Sequence, residues 1–302
     1  MKSQATAIPT DVAAPPPTLW KDLMTLTKSS ITGMCVMMTG AGYLLATPTL
    51  KMGSLLLTML GTMMVVAGSC ALNMYMERHN DATMTRTANR PLPAGRLSPA
   101  FALTFAWGLT LGGTLLLGFW VNWLTAGLAF LSFFLYVGVY TPMKRRTSLF
   151  LAVGTIPGAM PPLLGWTAAT GQLELPGLVL FLILLIWQLP HFIALSLMCK
   201  DDYERGGIRI LSLETNEQFA RLQAFWYSIL LMLASFLLIP LKVAGPVYFV
   251  FALAGGGWML WHSFKATVFA QIKRSEHKLF FASLVYLPLV TMGLVLDVLL
   301  LS

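Results

Sequence analysis

Nine apolar runs, each about 20 residues long, constrain this chain more than any other feature of its sequence. They lie at 29–48, 53–75, 100–118, 121–140, 149–169, 175–198, 219–240, 245–263 and 279–301. A helix needs about 20 apolar residues to cross roughly 30 Å of hydrocarbon. Of the 302 residues, 57% are hydrophobic and only 11% are charged, too few for a soluble globule. The sequence therefore predicts an all-α fold, a polytopic membrane bundle of nine transmembrane helices.

The basic residues follow this topology. If the N-terminus is cytoplasmic, all but two of the 20 Lys and Arg residues lie in the N-terminal tail or in loops that follow even-numbered helices; the exceptions are Lys51 and Lys242. Basic loops remain in the cytoplasm. The pattern predicts a multi-pass protein whose N-terminus and basic loops are cytoplasmic, and it explains the net charge of +8 without a nucleic-acid partner. The lack of an Arg-rich amphipathic presequence favours a bacterial inner membrane.

Composition divides the chain into two parts. Residues 1–18 are rich in Pro and Ala, which predicts a disordered cytoplasmic tail, and residues 19–302 form a single transmembrane domain. Within that domain, prolines 157, 161 and 162 are expected to break the fifth helix, because proline cannot donate a backbone hydrogen bond. Pro190 is expected to interrupt the sixth helix.

An acidic cluster follows the second apolar run. Asn73, Glu77 and Asp81 are spaced four residues apart, so on a helix each step turns only about 40° and all three oxygens share one face. Amide and carboxylate oxygens bind Mg²⁺ and leave positions for substrate phosphates. Arg86 and Arg90, also four apart, can bind the same anion. The alternative is a solvated helix end with a polar ladder of i,i+4 pairs.

A second acidic cluster, Lys200-Asp201-Asp202, lies at the same predicted membrane face after another even-numbered helix. Carboxylates at membrane depth are costly, which favours function, and two clusters facing a shared cavity are typical of a magnesium-bridged diphosphate. Lys144 and Arg145 follow the fourth helix on that side, either as an ordinary positive-inside anchor or as further charge for the diphosphate. His191, within an apolar run, is either satisfied by a neighbouring hydroxyl or carbonyl or functional.

At these residues the chain resembles the UbiA superfamily of intramembrane prenyltransferases, and within it the branch that farnesylates haem. The likeness runs from residue 26 to the last helix through Leu26-Thr27-Lys28, Ala71-Leu72-Asn73, Arg86-Thr87, Arg90-Pro91-Leu92-Pro93-Ala94-Gly95-Arg96, Tyr140-Thr141, Lys144-Arg145-Arg146-Thr147, Gly158-Ala159-Met160-Pro161-Pro162-Leu163, Gly165-Trp166, Pro190-His191-Phe192, Lys200-Asp201-Asp202-Tyr203 and Lys278-Leu279-Phe280. The Asn-x3-acid-x3-Asp helix is a signal of the superfamily. The Pro-His-Phe and Lys-Asp-Asp-Tyr segments are specific to the haem branch.

The resemblance implies a bundle around a central cavity and a Mg²⁺-dependent transfer of farnesyl from farnesyl diphosphate to a vinyl group of haem b, giving haem O. It implies metal binding by Asn73, Glu77, Asp81 and Asp202, and catalysis by Asp81, Asp202, Lys144 and Arg145. The implied diphosphate-binding residues are Asn73, Arg86, Arg90, Lys200 and Asp201, and the implied haem contact is His191. Glu77 departs from the family's usual Asp. Membrane lipid and a downstream haem A synthase or terminal oxidase assembly are the other expected partners.

Two alternatives remain open on the sequence. A UbiA-type enzyme that prenylates an aromatic quinone precursor would share the donor site, so only acceptor-side features such as His191 separate the two. A secondary transporter would place its ionisable groups near the bilayer midplane between broken helices, whereas here they gather at one membrane face.

Overall fold

The computed structural model describes residues 18–47, 49–269 and 275–301; of the predicted tail at 1–18, residues 1–17 lie outside this part of the chain. Most of the described residues are helical and none lies in a strand, which confirms the all-α prediction. In chain order the elements are α1 (Leu19–Leu26), α2 (Ser29–Ala46), α3 (Met52–Asp81), α4 (Pro99–Trp120), α5 (Trp123–Phe134), a π-helix (Leu135–Tyr140), α6 (Thr141–Met143), α7 (Phe150–Thr170), α8 (Leu175–Met198), α9 (Lys200–Arg205), α10 (Leu211–Glu214), α11 (Glu217–Phe236), α12 (Pro246–Val268) and α13 (Ser275–Leu301).

Nine long helical stretches in the described ranges correspond to the nine predicted spans. Eight are long and apolar enough to cross a membrane, with α5, the π-helix and α6 forming one continuous stretch, Trp123–Met143. The remaining helix, α7, is 21 residues long and largely buried. It contributes side chains to both large hydrophobic clusters of the protein, one with α8 and α11–α13 and one with α3–α5. The protein is therefore a multi-pass membrane protein with α7 at its centre.

The prediction that prolines break two of the helices is wrong. Pro157, Pro161 and Pro162 lie inside a continuous α7, and Pro190 lies inside a continuous α8. Pro161 has no N–H, so the carbonyl of Pro157 loses its usual donor four residues later. The hydroxyl of Ser132 on α5 donates to that carbonyl at 3.2 Å. A neighbouring helix thus satisfies the freed carbonyl, as is common in membrane bundles.

Two glycines allow α2 and α7 to approach closely. A Cβ on Gly165 would overlap the carbonyl oxygen of Thr39, and a Cβ on Gly42 would overlap that of Pro162. Small residues at such positions let helix backbones pack closely where no hydrophobic effect drives association. The pairing of α2 with α7 forms part of the wall around the site.

Helix α1 is short and is attached to the bundle by an ion pair. Asp22 is 4% exposed and accepts hydrogen bonds from Arg96 Nε at 3.0 and 3.1 Å, while Leu19 and Trp20 are exposed. An exposed apolar face on a short helix is typical of a segment that lies at the membrane interface. This pair fixes the loop after α3 relative to α1.

Candidate active site

A cavity of about 520 Å³ opens where the ends of α3, α6 and α8 meet the start of α2. Its body is apolar, with Met34, Val66, Leu184 and Leu287 among its lining residues. Its charged lining residues in the described part of the chain are five cations and two carboxylates: Lys28, Arg86, Arg90, Lys144, Arg145, Glu77 and Asp81. An apolar body beneath a mouth with excess positive charge fits an amphiphile with an anionic head.

Helix α3 supplies the acidic wall of the mouth. It extends beyond the predicted apolar run as far as Asp81, so Asn73, Glu77 and Asp81 lie on one helix as the spacing indicated. Asn73 is fully buried behind the cavity wall, whereas Glu77 and Asp81 line it. Asn80 lines the cavity beside them. Three oxygen-bearing side chains of one helix end therefore face the same space.

Each lining carboxylate is paired with a cation. Lys144 Nζ lies 2.7 Å from Glu77 Oε1, and Arg90 NH1 lies 2.7 Å from Asp81 Oδ2. Burial alone would lower the pKa of the Lys144 amine, but Tyr140 and Glu77 outweigh it and hold that pKa above its usual value. Lys144 is therefore charged, and both pairs can exchange partners with an incoming anion.

The second acidic cluster meets the first. Asp202 Oδ1 accepts from the backbone N–H of Thr85 at 3.2 Å and from Arg205 NH2 at 2.7 Å, and its Oδ2 lies 3.9 Å from Arg86 Nε. The hydrogen bond from Arg205, with those from the loop at 85–86, lowers the pKa of the Asp202 carboxyl. Asp202 is not itself among the lining residues of the cavity. It fixes the loop that carries Arg86, and Arg86 does line the cavity.

The other predicted site residues fall in different places. Arg145 lines the cavity and has no carboxylate within 4 Å among the described residues. Asp201 is exposed and lies outside the cavity lining. Lys200 also lies outside the lining, with its Nζ 2.9 Å from Glu217 Oε1 on α11. The charged mouth of the cavity thus consists of residues from 77–90 and 144–145, and Asp202 contacts it through the loop at 85–86. Lys200 and Asp201 are not part of it.

Sequence reasoning missed Lys28. It precedes α2 in a left-handed conformation, φ 48° and ψ 58°, which disfavours a non-glycine residue. Its Nζ donates to Asn73 Oδ1 at 2.9 Å and lies 3.3 Å from the Tyr136 hydroxyl. Burial lowers the pKa of the Lys28 amine. The signal was available in the motif Leu26-Thr27-Lys28, but a lysine before an apolar run looks like an ordinary positive-inside residue.

The π-helix was also unpredicted. It ends directly before Thr141-Pro142, and Pro142 has no N–H to continue the regular helix. Tyr136 and Tyr140 stack at 5.2 Å between ring centroids and both line the cavity. Thr141 accepts from Asn73 Nδ2 at 3.0 Å. Wide turns of this kind occur frequently at functional sites.

The donor set fits a magnesium ion that shares its coordination with a phosphate. No three His, Cys, Asp or Glu side chains lie together as a metal site in the ranges that the structure describes. Mg²⁺ usually takes one or two carboxylates together with substrate phosphates and waters. Glu77 and Asp81 meet that requirement, and both are hard oxygen donors at the mouth.

One wall of the cavity, formed by α8, is aromatic. His191 and Trp187 of α8 line it, and the His191 ring stacks on Trp187 and Phe280, with centroid distances of 5.0 and 4.7 Å and interplanar angles of 20° and 27°. Its Nδ1 lies 2.8 Å from the Ser283 hydroxyl. Gln188 lines the same wall and donates to the carbonyl of Thr155 at 3.1 Å. These groups can receive a planar, largely apolar partner.

Residues 35–285 match the family model described as the UbiA prenyltransferase family. The chain belongs to the UbiA prenyltransferase family. This prenyltransferase is 46% identical over 242 residues, 80% of its length and 86% of the relative's, to a Sorangium cellulosum (strain So ce56) protein named protoheme IX farnesyltransferase. The family membership makes it an enzyme that transfers prenyl groups.

Two solved structures share the fold of this UbiA prenyltransferase. A digeranylgeranylglyceryl phosphate synthase superposes with a TM-score of 0.78 at 16% identity, covering 92% of this chain and 97% of the other. A UbiA homologue from Archaeoglobus fulgidus, bound to GPP and Mg²⁺, superposes with a TM-score of 0.60 at 12% identity, covering 91% of this chain and 99% of the other. At these identities the likeness establishes the fold.

Proposed function

We propose that this protein transfers the farnesyl group of farnesyl diphosphate to a vinyl group of haem b, with Mg²⁺, and so makes haem O. The observation that carries the proposal is the cavity itself, whose lining combines more cations than carboxylates with apolar side chains and an aromatic wall at Trp187 and His191. A prenyl diphosphate has the matching anionic head and apolar tail. The name of the Sorangium relative supports farnesyl as the donor group and haem as the acceptor.

The mouth is suited to bind and activate the diphosphate. Glu77 and Asp81, the two carboxylates that line the mouth, are the groups that would hold Mg²⁺. Asn73, buried behind them, and Asp202, which contacts the loop at 85–86, would support this pair. When bound, Mg²⁺ neutralises charge on the leaving diphosphate. The A. fulgidus homologue supports this pairing because it was solved with GPP and Mg²⁺ together. Arg86, which Asp202 holds in place, adds positive charge beside this set.

The cations of the mouth assist departure of the diphosphate. As the bond between the allylic carbon and oxygen breaks, both electrons leave with the oxygen, and Arg90, Lys144 and Arg145 stabilise the added charge. The positive charge stays on the farnesyl carbon, which the apolar body shields from water. The vinyl electrons of haem b then form the new carbon–carbon bond. Water adds to the resulting cation and releases one proton, which leaves a hydroxyethylfarnesyl group.

The distribution of basic residues gives the protein its proposed orientation in the membrane. We place the N-terminus and the acidic loops on the cytoplasmic face of a bacterial inner membrane, because the basic residues cluster at that end. Farnesyl diphosphate, a soluble anion, would then enter from the cytoplasm, and haem b would enter from lipid. A haem A synthase or an assembling terminal oxidase would receive the product.

The test is transfer by purified protein in lipid nanodiscs, supplied with farnesyl diphosphate, Mg²⁺ and either haem b or 4-hydroxybenzoate. We expect a farnesylated haem, identified by mass and chromatography, no prenylated benzoate, and no product when Mg²⁺ is chelated. Asp81→Asn and Asp202→Asn should abolish the haem product, and thermal unfolding shows whether each variant remains folded. Prenylated benzoate without farnesylated haem would contradict the proposal.

A further inference from the structure

Ser283, on α13, determines how the His191 imidazole can act. The Ser283 side chain is fully buried. Its hydroxyl donates to the carbonyl of Phe280 at 2.6 Å, one turn earlier on the same helix. A hydroxyl has one proton, and that proton is already used. Toward His191 Nδ1, at 2.8 Å, the Ser283 oxygen is therefore the acceptor.

This direction fixes the tautomer of the imidazole. Nδ1 carries the proton and donates it to Ser283, so in the neutral ring Nε2 carries the lone pair. No side chain or carbonyl in the described residues forms a hydrogen bond with Nε2. His191 lines the cavity. The Nε2 lone pair of this lining residue therefore has no hydrogen-bond donor among the described residues.

The ring is also fixed in orientation. The Trp187 and Phe280 rings stack on the imidazole, with centroid distances of 5.0 and 4.7 Å. The Trp187 indole also donates to the backbone carbonyl of Ser283 at 2.7 Å. Both partners of His191 are therefore tied to the same residue of α13. A histidine that ligates a metal usually has its other ring nitrogen hydrogen-bonded in this way, which fixes the tautomer and raises the basicity of the ligating nitrogen.

We propose that Ser283 is a positioning residue that presents His191 Nε2 as an axial ligand to the iron of the metalloporphyrin acceptor. This inference rests on the proposed function, because it requires that the acceptor carry iron. Axial ligation would place the porphyrin edge against the aromatic wall at a fixed distance from the charged mouth. The serine acts only through the histidine and contacts no reacting atom.

The experiment is a titration of purified protein with haem b and with metal-free protoporphyrin IX, with resonance Raman spectra of the ferrous haem complex. The variants are His191→Ala, Ser283→Ala and Ser228→Ala. Ser228 is the matched control, because it is 1% exposed and, among the described residues, its hydroxyl donates to a carbonyl of its own helix, at 2.8 Å, and to no other group. Farnesyl transfer to haem is measured on the same preparations.

We expect an iron–histidine band in the parent protein that His191→Ala abolishes and added imidazole restores. Ser283→Ala should weaken haem binding about tenfold, in the range typical for a lost hydrogen bond behind a ligand, and move the band to lower frequency. Ser228→Ala should change neither, and metal-free porphyrin should bind all four proteins alike.

Three results would overturn the inference. If the parent protein farnesylates haem and its spectrum survives His191→Ala, or if Ser283→Ala leaves both affinity and band unchanged, the ligation is wrong while the proposed function stands. If no preparation farnesylates haem, the proposed function fails and the acceptor assignment fails with it.

Discussion

Replacement of Lys144 by Met separates the catalytic contribution of this lysine from its structural one. Its Nζ lies 2.7 Å from Glu77 Oε1, and the two side chains are only 13% and 14% exposed. Removing one partner of a fully buried pair costs about 3–5 kcal/mol, because the other charge remains unpaired. The remaining exposure of Glu77 to the cavity reduces this to about 2 kcal/mol. The expected fall in unfolding temperature is roughly 4 °C.

The effect on turnover should be larger and of different origin. Loss of one preorganised donor to a developing anion lowers kcat by about 100- to 1,000-fold. The double variant Glu77→Gln with Lys144→Met removes both charges, so it should recover most of the lost thermal stability and none of the lost turnover. Unfolding is followed by intrinsic tryptophan fluorescence in detergent, and turnover by chromatography of farnesylated haem.

Lys265 provides a matched control for the Lys144 variant. Lys265→Met removes the same charge from a lysine that stacks on the Trp261 ring, 4.5 Å from its centroid, outside the cavity. It should leave turnover within about twofold of the parent. The reasoning is refuted if Lys144→Met loses stability yet keeps parental turnover, or if restored stability in the double variant also restores turnover.

Three further outcomes follow from contacts described above. Lys200→Met should lower turnover by less than about threefold, because an exposed pair outside the cavity contributes little; a hundredfold loss in the transfer assay would place it in the mouth. The pKa of the Asp202 carboxyl is lowered from 3.8, so its hydrogen bond from the Thr85 amide should persist above that pH and weaken as the pH falls below it. The measurement is hydrogen exchange at the Thr85 amide, and exchange that is already fast at pH 6 would refute this prediction. Gly165→Ala should force α2 from α7 at Thr39 and abolish the folded protein in size-exclusion chromatography, whereas recovery of a monodisperse active enzyme would contradict the close approach.

The fold and the acidic wall could be predicted from sequence because their determinants are local. The length of each apolar run predicts a helix, and the charge asymmetry between alternate loops predicts the side of the membrane on which each loop lies. The spacing of Asn73, Glu77 and Asp81 needs only the helical period, and α3 carries all three. The convergence of Asp202 on the loop at 85–86 required the additional argument that two carboxylate groups at one membrane face need partners.

The remaining features depend on contacts between residues distant in sequence. The proline-rich α7 stays helical because Ser132, on another helix, donates to the freed carbonyl of Pro157. Lys28 joins the mouth through Asn73, which lies 45 residues away. Ser283 reaches His191 across 92 residues. No periodicity or local propensity reports these pairs. Lys200 illustrates the converse, since its place beside acidic residues in sequence does not decide which carboxylate it contacts in space.

A structure of the enzyme with Mg²⁺ and a non-reactive analogue of farnesyl diphosphate is the most direct measurement of the central claim. The account predicts that the diphosphate contacts Arg90, Lys144 and Arg145, that the metal is held at Glu77 and Asp81, and that the prenyl chain extends through the apolar body toward His191. A diphosphate bound away from the end of α3, or a prenyl chain that lies outside the cavity, would contradict it.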